Sequence, residues 1–261
     1  MILLRVRVGR MTAVVTIEEI KETIMKRSSL IWAGALLGAS IATPAVAHEA
    51  GDWILRGGVG MVMPKNDNLV LPEITIDTLT VNAVVQVDDG VSMTLTGTYM
   101  FTDNWAFDIL AAWPFKHDVD LDATISDGVT TESGTLPFAE VEHLPPTFSV
   151  QYHFSPEAKF QPFVGLGVNY TTFLSEDLTQ DIIDAGIVDF SLDDSFGVAA
   201  QIGADWMLND RALINFDVRW INIESDITAT IDDGINPAET GELGTIKIDP
   251  WVFAVNFGYK F

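Results

Sequence analysis

The sequence predicts an all-β fold: an eight-stranded antiparallel transmembrane β-barrel with short periplasmic turns and long extracellular loops. Three observations carry the prediction. The last eleven residues alternate, with Phe261, Tyr259, Phe257, Val255, Phe253 and Trp251 on one face and Lys260, Gly258, Asn256, Ala254 and Val252 on the other. Seven upstream segments share that period and are joined alternately by tight and long connections. No run of about 18 uninterrupted apolar residues occurs in the body of the chain, which argues against a bundle of membrane helices. A soluble sandwich would pack its apolar face on a second sheet. A strand that ends the chain on an outward aromatic fits lipid instead.

At the front, residues 1–24 read as an over-extended start, because the features of a secretory signal begin at Met25. Met25-Lys-Arg is basic, Leu30 to Ile41 is an apolar run of about a dozen residues, and Ala45-Val46-Ala47 is a small-x-small cleavage site. Residues 25–47 are therefore expected to be a cleavable signal peptide, with His48 first in the mature chain and 48–261 forming the barrel. The absence of cysteine suits an exported protein held by barrel closure rather than disulfides. Six of the 14 basic residues but only three of the 37 acids lie before His48, leaving 8 against 34 in the mature chain, a net of -26. Phosphates need a basic surface, so this balance argues against nucleic acid as a partner.

The first strand runs from Trp53 to Met63 and the second carries Met93, Leu95, Tyr99 and Phe101 outward. The third carries Trp105, Phe107, Ile109, Ala111, Trp113 and Phe115, and the fourth Phe148, Val150, Tyr152 and Phe154. Val164 to Tyr170, Phe196 to Trp206 and Ile214 to Trp220 supply the next three, and the C-terminal segment the eighth. Residues 102–104, 155–161 and 208–211 are tight turns, whereas 65–90, 117–142, 174–194 and 225–247 are long loops. Leu178 to Gly186, in the third long loop, reads equally as a short helix or as irregular chain. Arg56, Asp108, Gln151, Asn169, Gln201, Asp205, Asn215, Asp217, Arg219 and Asn256 fall on the face opposite the bulky residues. A lipocalin-like barrel would turn its apolar face inward; lipid outside and polar groups inside is the simpler account.

A set of motifs in fixed order then points to a family. His48-Glu-Ala-Gly51, Arg56-Gly57-Gly58, Tyr99-Met-Phe-Thr-Asp-Asn104 and Leu110-Ala-Ala-Trp-Pro-Phe115 come first. His143-Leu-Pro-Pro-Thr147, Phe160 to Phe173, Ser191 to Ser195 and Leu243 to Phe261 follow. Across 48–261 the chain resembles the OmpW family of outer-membrane proteins. That resemblance implies a narrow barrel with a largely apolar lumen that passes small hydrophobic compounds, one suggested route being a lateral exit between strands. It also implies no catalytic chemistry and no cofactor. Arg219 departs from it by placing a charge where an apolar lumen residue is expected.

Several residues become candidates. Arg56, Asp108, Asp205, Asp217 and Lys260 point inward near the periplasmic ends and are expected to pair as a lumen ion-pair layer, because charges in so narrow a barrel must pair or stay hydrated. Leu110 and Arg219, near mid-strand, are the candidate lumen constriction; Leu110 reads equally as lumen filler, and Arg219, next but one to Asp217, is expected to be paired. Pro145 and Pro146 cannot donate ladder hydrogen bonds and mark either a strand terminus or a lateral-exit seam. Phe261, Tyr259 and Phe257 read as the assembly signal, met by the barrel-assembly machinery. His117 and His143 lie among acids but lack a metal-ligand spacing, and Ser126 or Ser133 with His117 would make a triad by availability alone. The long loops hold 24 acids against Lys65 and Lys247, either a solvated surface or a divalent-cation bridge to lipopolysaccharide. The expected partners are outer-membrane lipid, lipopolysaccharide and small hydrophobic solutes. The expected function is a passive path for such solutes; the alternative is a structural or adhesive barrel with a closed lumen and acidic loops.

Overall fold

The computed structural model describes residues 3–8, 11–16, 48–66, 68–71, 73–76, 79–232 and 238–261. The signal-peptide reading of 25–47 lies outside the described residues, as does much of 1–24. Within the N-terminal unit, 1–42, β1 (Leu3–Val8) and β2 (Met11–Thr16) pair as an antiparallel hairpin. The second unit, 43–261, begins with β3 (Trp53–Met63), β4 (Leu69–Val70), β5 (Ile74–Ile76), β6 (Leu79–Val87) and β7 (Gly90–Met100). It continues with β8 (Trp105–Ala112), β9 (Phe115–Ser126), β10 (Thr131–Leu144), β11 (Thr147–His153) and β12 (Phe160–Leu178). After the short helix α1 (Gln180–Asp184) come β13 (Ile187–Leu192), β14 (Ser195–Met207), β15 (Ala212–Ile221), β16 (Glu224–Ile231), β17 (Glu239–Lys247) and β18 (Trp251–Lys260).

Eight of these strands close a ring. β3 pairs with β7, β7 with β8, β8 with β11, β11 with β12, β12 with β14, β14 with β15, β15 with β18, and β18 with β3. All are antiparallel, and closure leaves no sheet edge in the bilayer, where an unpaired backbone group would find no water. Phe261 N–H also donates to the Trp53 carbonyl (2.8 Å), so the chain ends against the first barrel strand.

The sequence period is the barrel's in–out pattern. Phe107, Ile109, Leu166, Phe196, Ile202, Val255 and Phe257 stand exposed on the outside, whereas Arg56, Asp108, Gln151, Asn169, Asp205, Asn215 and Asn256 are buried inside. A contiguous apolar band of this extent suits lipid, not water. Aromatic pairs mark the periplasmic ends: Trp53 with Tyr99 and Trp105 with Tyr152, both with ring centroids 4.9 Å apart.

Above the band the structure corrects the sequence reading. The four long connections are largely strands. β6, β9, β10 and the upper part of β12 form one sheet continuous with the barrel, and β13, β16 and β17 form a second. Their alternation was hidden by acids on the solvent side: on β9, exposed Asp118 and Asp122 alternate with buried Val119 and half-buried Leu121. Phe115 is also corrected. It does not share the lipid face with Trp113 but is 1% exposed, because β8 ends at Ala112 and β9 restarts after Pro114 with inward and outward exchanged. The Leu178–Gly186 stretch contains a single turn of helix, which stops at Gly186 in the left-handed region (φ +101).

Candidate functional site

The lumen is layered along its axis. At the periplasmic end Ile54, Met100, Ala106, Met207 and Leu213 form an apolar floor, each at most 1% exposed. They come from the first or last inward positions of β3, β7, β8, β14 and β15, while the matching positions of β11, β12 and β18 carry the polar His153, Gln161 and Lys260.

Next comes the charged layer. Arg56 holds Asp205 through Nε (3.1 Å) and Nη2 (2.6 Å), and its Nη1 donates to Thr98 Oγ1. Thr98 in turn donates to Asp108 (2.6 Å), which also accepts from Arg219 (3.3 Å). Arg219 Nη2 donates to Gln201 Oε1 at 2.5 Å, and its Nε lies 3.6 Å from Asp217. Asn215 donates to Asp205 (2.8 Å), Asn256 to Asn215 (2.9 Å), and Thr94 to Asn256 (2.8 Å). Only about 10 Å³ of space remains among these side chains, at the threshold for one water molecule.

Sequence-derived residues fall into this layer unevenly. Arg56, Asp108, Asp205 and Asp217 come together in it. Lys260 pairs with Asp52 (3.1 Å) at the periplasmic mouth. Arg219, the second constriction candidate, is paired, as its place next but one to Asp217 suggests: it binds Asp108 and Gln201 and lies near Asp217, within the ion-pair layer. Leu110 keeps its place, 6% exposed beside Val252 and Ala254 on the upper side of the layer.

Above Leu110 the lining turns apolar. A cavity of about 160 Å³ opens beneath the extracellular strands, walled by residues such as Val85, Val119, Phe138, Val141, Phe190 and Ile246, with His117 and His143 among the lining. These two imidazoles are not at an acidic rim, as the sequence suggested. Both are 3% exposed, because they take inward positions on β9 and β10 while the acids take outward ones. Their rings stack at 5.0 Å, and His143 also stacks on Phe115 at 5.8 Å. Gly90 makes room for His117, since a Cβ there would stand 2.5 Å from Cε1. His117 Nδ1 lies 2.6 Å from the Asp88 carbonyl, which can only accept, so this nitrogen carries the proton. Burial pushes the His117 pKa down and that of His143 down to about 3, so both are neutral in the folded protein.

Pro145 and Pro146 sit at the weakest joint of the wall. Register between β8 and β11 spans six pairs, from Trp105↔Tyr152 to Leu110↔Thr147, the shortest ladder in the ring. Pairing resumes above it at Phe115↔His143, between β9 and β10. Between them, Pro114, Pro145 and Pro146 have no N–H to give, and Trp113 N–H bonds Met93 on the other side, continuing the β7–β8 ladder (2.9 Å).

The serine–histidine grouping does not form. Ser133 lies opposite Thr124, seven residues along β9 from His117, a separation of about 23 Å at strand rise. Lumen residues that the sequence reading does not single out include Thr94 and Thr98 of the charged layer and two histidines: His48, named only within a motif and as the mature first residue, and His153, the last inward position of β11. Both are fully buried, and His48 Nε2 lies 3.2 Å from Asp205. The alternation of β11 could have exposed His153; nothing periodic precedes Trp53 to reveal His48.

Comparison with known proteins agrees with this architecture. The model of the OmpW family matches residues 49–261. Outer membrane protein W of Vibrio cholerae is 40% identical over 228 residues, covering 87% of this chain and 96% of its own. Outer membrane protein W of Escherichia coli is 36% identical over 218 residues, covering 83% and 92%. The crystal structure of the outer membrane protein OprG from Pseudomonas aeruginosa aligns with a TM-score of 0.68 at 34% identity, covering 82% of this chain and 98% of that one.

Proposed function

The chain belongs to the OmpW family of outer-membrane barrels, and from that premise we propose that it gives small hydrophobic molecules a passive path through the outer membrane, with lateral exit into the bilayer. The observation that carries this reading is the apolar cavity of about 160 Å³ stacked on a charged, filled lower lumen. An apolar cavity of about 150 Å³ in a protein core stays dry and takes up benzene, so the vestibule is sized for a one-ring or short-chain solute. Entry removes apolar surface from water at about 25 cal/mol per Å². Going straight down would then force the solute past Arg56, Asp108, Asp205 and Arg219 and through the apolar floor, with no free volume to follow. Sideways, a solute passing His143, which lines the cavity, would reach the unpaired stretch between residues 111–114 and 144–146 and, beyond it, lipid, where the gain is kept.

A closed structural barrel shares the sealed lower lumen, but it has no use for the cavity or the unpaired stretch. Outer-membrane lipid and lipopolysaccharide are the proposed surroundings, with Phe257, Tyr259 and Phe261 the strand presented for assembly.

The test compares uptake of a small aromatic hydrocarbon by cells carrying the barrel. Ala112→Trp, which fills the interior space behind the unpaired stretch at Trp113, is expected to slow uptake about tenfold, while Asp217→Asn changes it little. Unchanged uptake in the first variant together with altered uptake in the second would replace the lateral route with an axial one.

A further inference from the structure

On the periplasmic side of the charged layer, His48, His153 and Asp205 are all fully buried, and one ligand-capable atom from each lies within 4.8 Å of the others. We propose that these three residues bind a divalent transition-metal ion of the zinc class, admitted from the periplasmic mouth of the barrel.

His48 Nε2 and Asp205 Oδ2 stand 3.2 Å apart. Two ligands of a tetrahedral zinc with bonds of about 2.0 Å are separated by about 3.3 Å, so an ion replacing the shared proton needs no movement of this pair. The third ligand follows from a hydrogen bond. His153 Nε2 lies 3.1 Å from Gln151 Oε1, an oxygen that only accepts, so Nε2 carries the hydrogen and Nδ1 the lone pair. That Nδ1 is buried and has no hydrogen-bond partner. A buried acceptor left unpaired is costly, and a metal ion is one of the few groups that answers it.

Two of the three residues have the surroundings that ligands of a metal ion need, whereas His48 Nδ1 is buried without a partner. A ligating imidazole donates its other N–H to a carbonyl or carboxylate, as His153 does to Gln151. The carboxylate is oriented too, by two N–H groups of Arg56 and by Asn215 Nδ2. Arg56 repels a cation, but Asp108, Asp205 and Asp217 outnumber Arg56 and Arg219, leaving the layer with surplus negative charge. At the mouth, a cavity of about 370 Å³ is bordered by His48, Glu49, Asp103 and Glu157, and its acids concentrate cations. Two imidazoles with one carboxylate select Zn²⁺, Ni²⁺ or Cu²⁺ over the oxygen-seeking Ca²⁺ and Mg²⁺. This site is independent of the vestibule and of solute passage.

The test titrates Zn²⁺ by calorimetry into the protein purified from outer membranes in detergent, with Ca²⁺ in large excess to occupy exposed acids. One Zn²⁺ per chain is expected. His153→Gln should weaken binding by more than about tenfold, and Gln151→Leu, which keeps every ligand but loses the orienting acceptor, by about 10–100-fold. His143→Gln, at a buried imidazole outside the site, should leave binding unchanged. Should His153→Gln fail to assemble, Gln151→Leu decides alone. Absence of stoichiometric Zn²⁺ binding, or binding untouched by the Gln151 change, overturns the proposal.

Discussion

The lower lumen and the vestibule grow from the same strands, yet they are filled by opposite means. Below Leu110, Arg56, Asp108, Asp205 and Arg219 form a hydrogen-bonded network with about 10 Å³ to spare. Above it, aliphatic and aromatic side chains leave about 160 Å³ open, with two neutral imidazoles among them. The lower region is specific and hard to deform, since a buried charge tolerates only its partner. In the upper region dispersion and burial hold the walls, and these interactions do not dictate one occupant. One half is filled; the other is hollow.

The first way to break this contrast is to remove a partner below. Asp205→Ala leaves the Arg56 guanidinium buried with only Thr98 and a distant Asp108 (3.8 Å), and should cost about 3–5 kcal/mol. The midpoint of the heat-induced gel-mobility shift would report it. Replacing both residues by apolar ones of similar volume should recover most of the loss. If the single change is harmless, the lower lumen is hydrated rather than held by charge.

The second prediction works on the vestibule through pH. His143 has a folded pKa of about 3 against about 6.5 for an unperturbed imidazole, so the unfolded state binds more protons below pH 6.5. Stability therefore falls as pH drops from about 6.5 toward 3, by about 2 kcal/mol at pH 5. Above pH 7 the group contributes no dependence. Hydrogen exchange should accelerate in β9 and β10 at pH 5 relative to pH 7, while β14 and β15 stay protected; His143→Phe should reduce the difference and leave the part that the buried His117 contributes. Equal protection at both pH values would mean that the imidazole reaches water.

The two regions were also unequally visible in the sequence. Arg56, Asp108 and Asp205 stood out because each is a charge within an alternating strand whose other face is aliphatic, and period two alone assigns it to the lumen. The vestibule did not stand out. Its strands carry acids on their outer face, so Asp118-Val119-Asp120-Leu121-Asp122 reads as a polar loop until β6 and β10 are known to flank it. Phe115 was misplaced for a more local reason, the one-residue phase change at Trp113-Pro114. Such a shift moves every later side chain to the other face without altering composition. His48 belongs to no periodic segment, and only its bond to Asp205, 157 positions away, gives it a place.

The smallest expected effect sharpens the contrast from within the charged layer. Asp217 belongs to the network by charge but hardly by hydrogen bonding. Its side chain is 12% exposed where those of Asp108 and Asp205 are fully buried, and its approach to Arg219 is long at 3.6 Å. Arg219 keeps Asp108 and Gln201 if that contact weakens. Asp217→Asn preserves shape, removes one charge from a layer with surplus negative charge, and leaves both guanidinium groups paired. A neutral hydrogen bond nets about 1 kcal/mol, which sets the upper limit of the loss. Denaturant midpoints for Asp217→Asn and Asp205→Asn, measured side by side, should therefore differ severalfold in their displacement from the parent. Equal displacement would mean that the layer responds to its summed charge, and that the pairing geometry around Asp205 contributes nothing of its own.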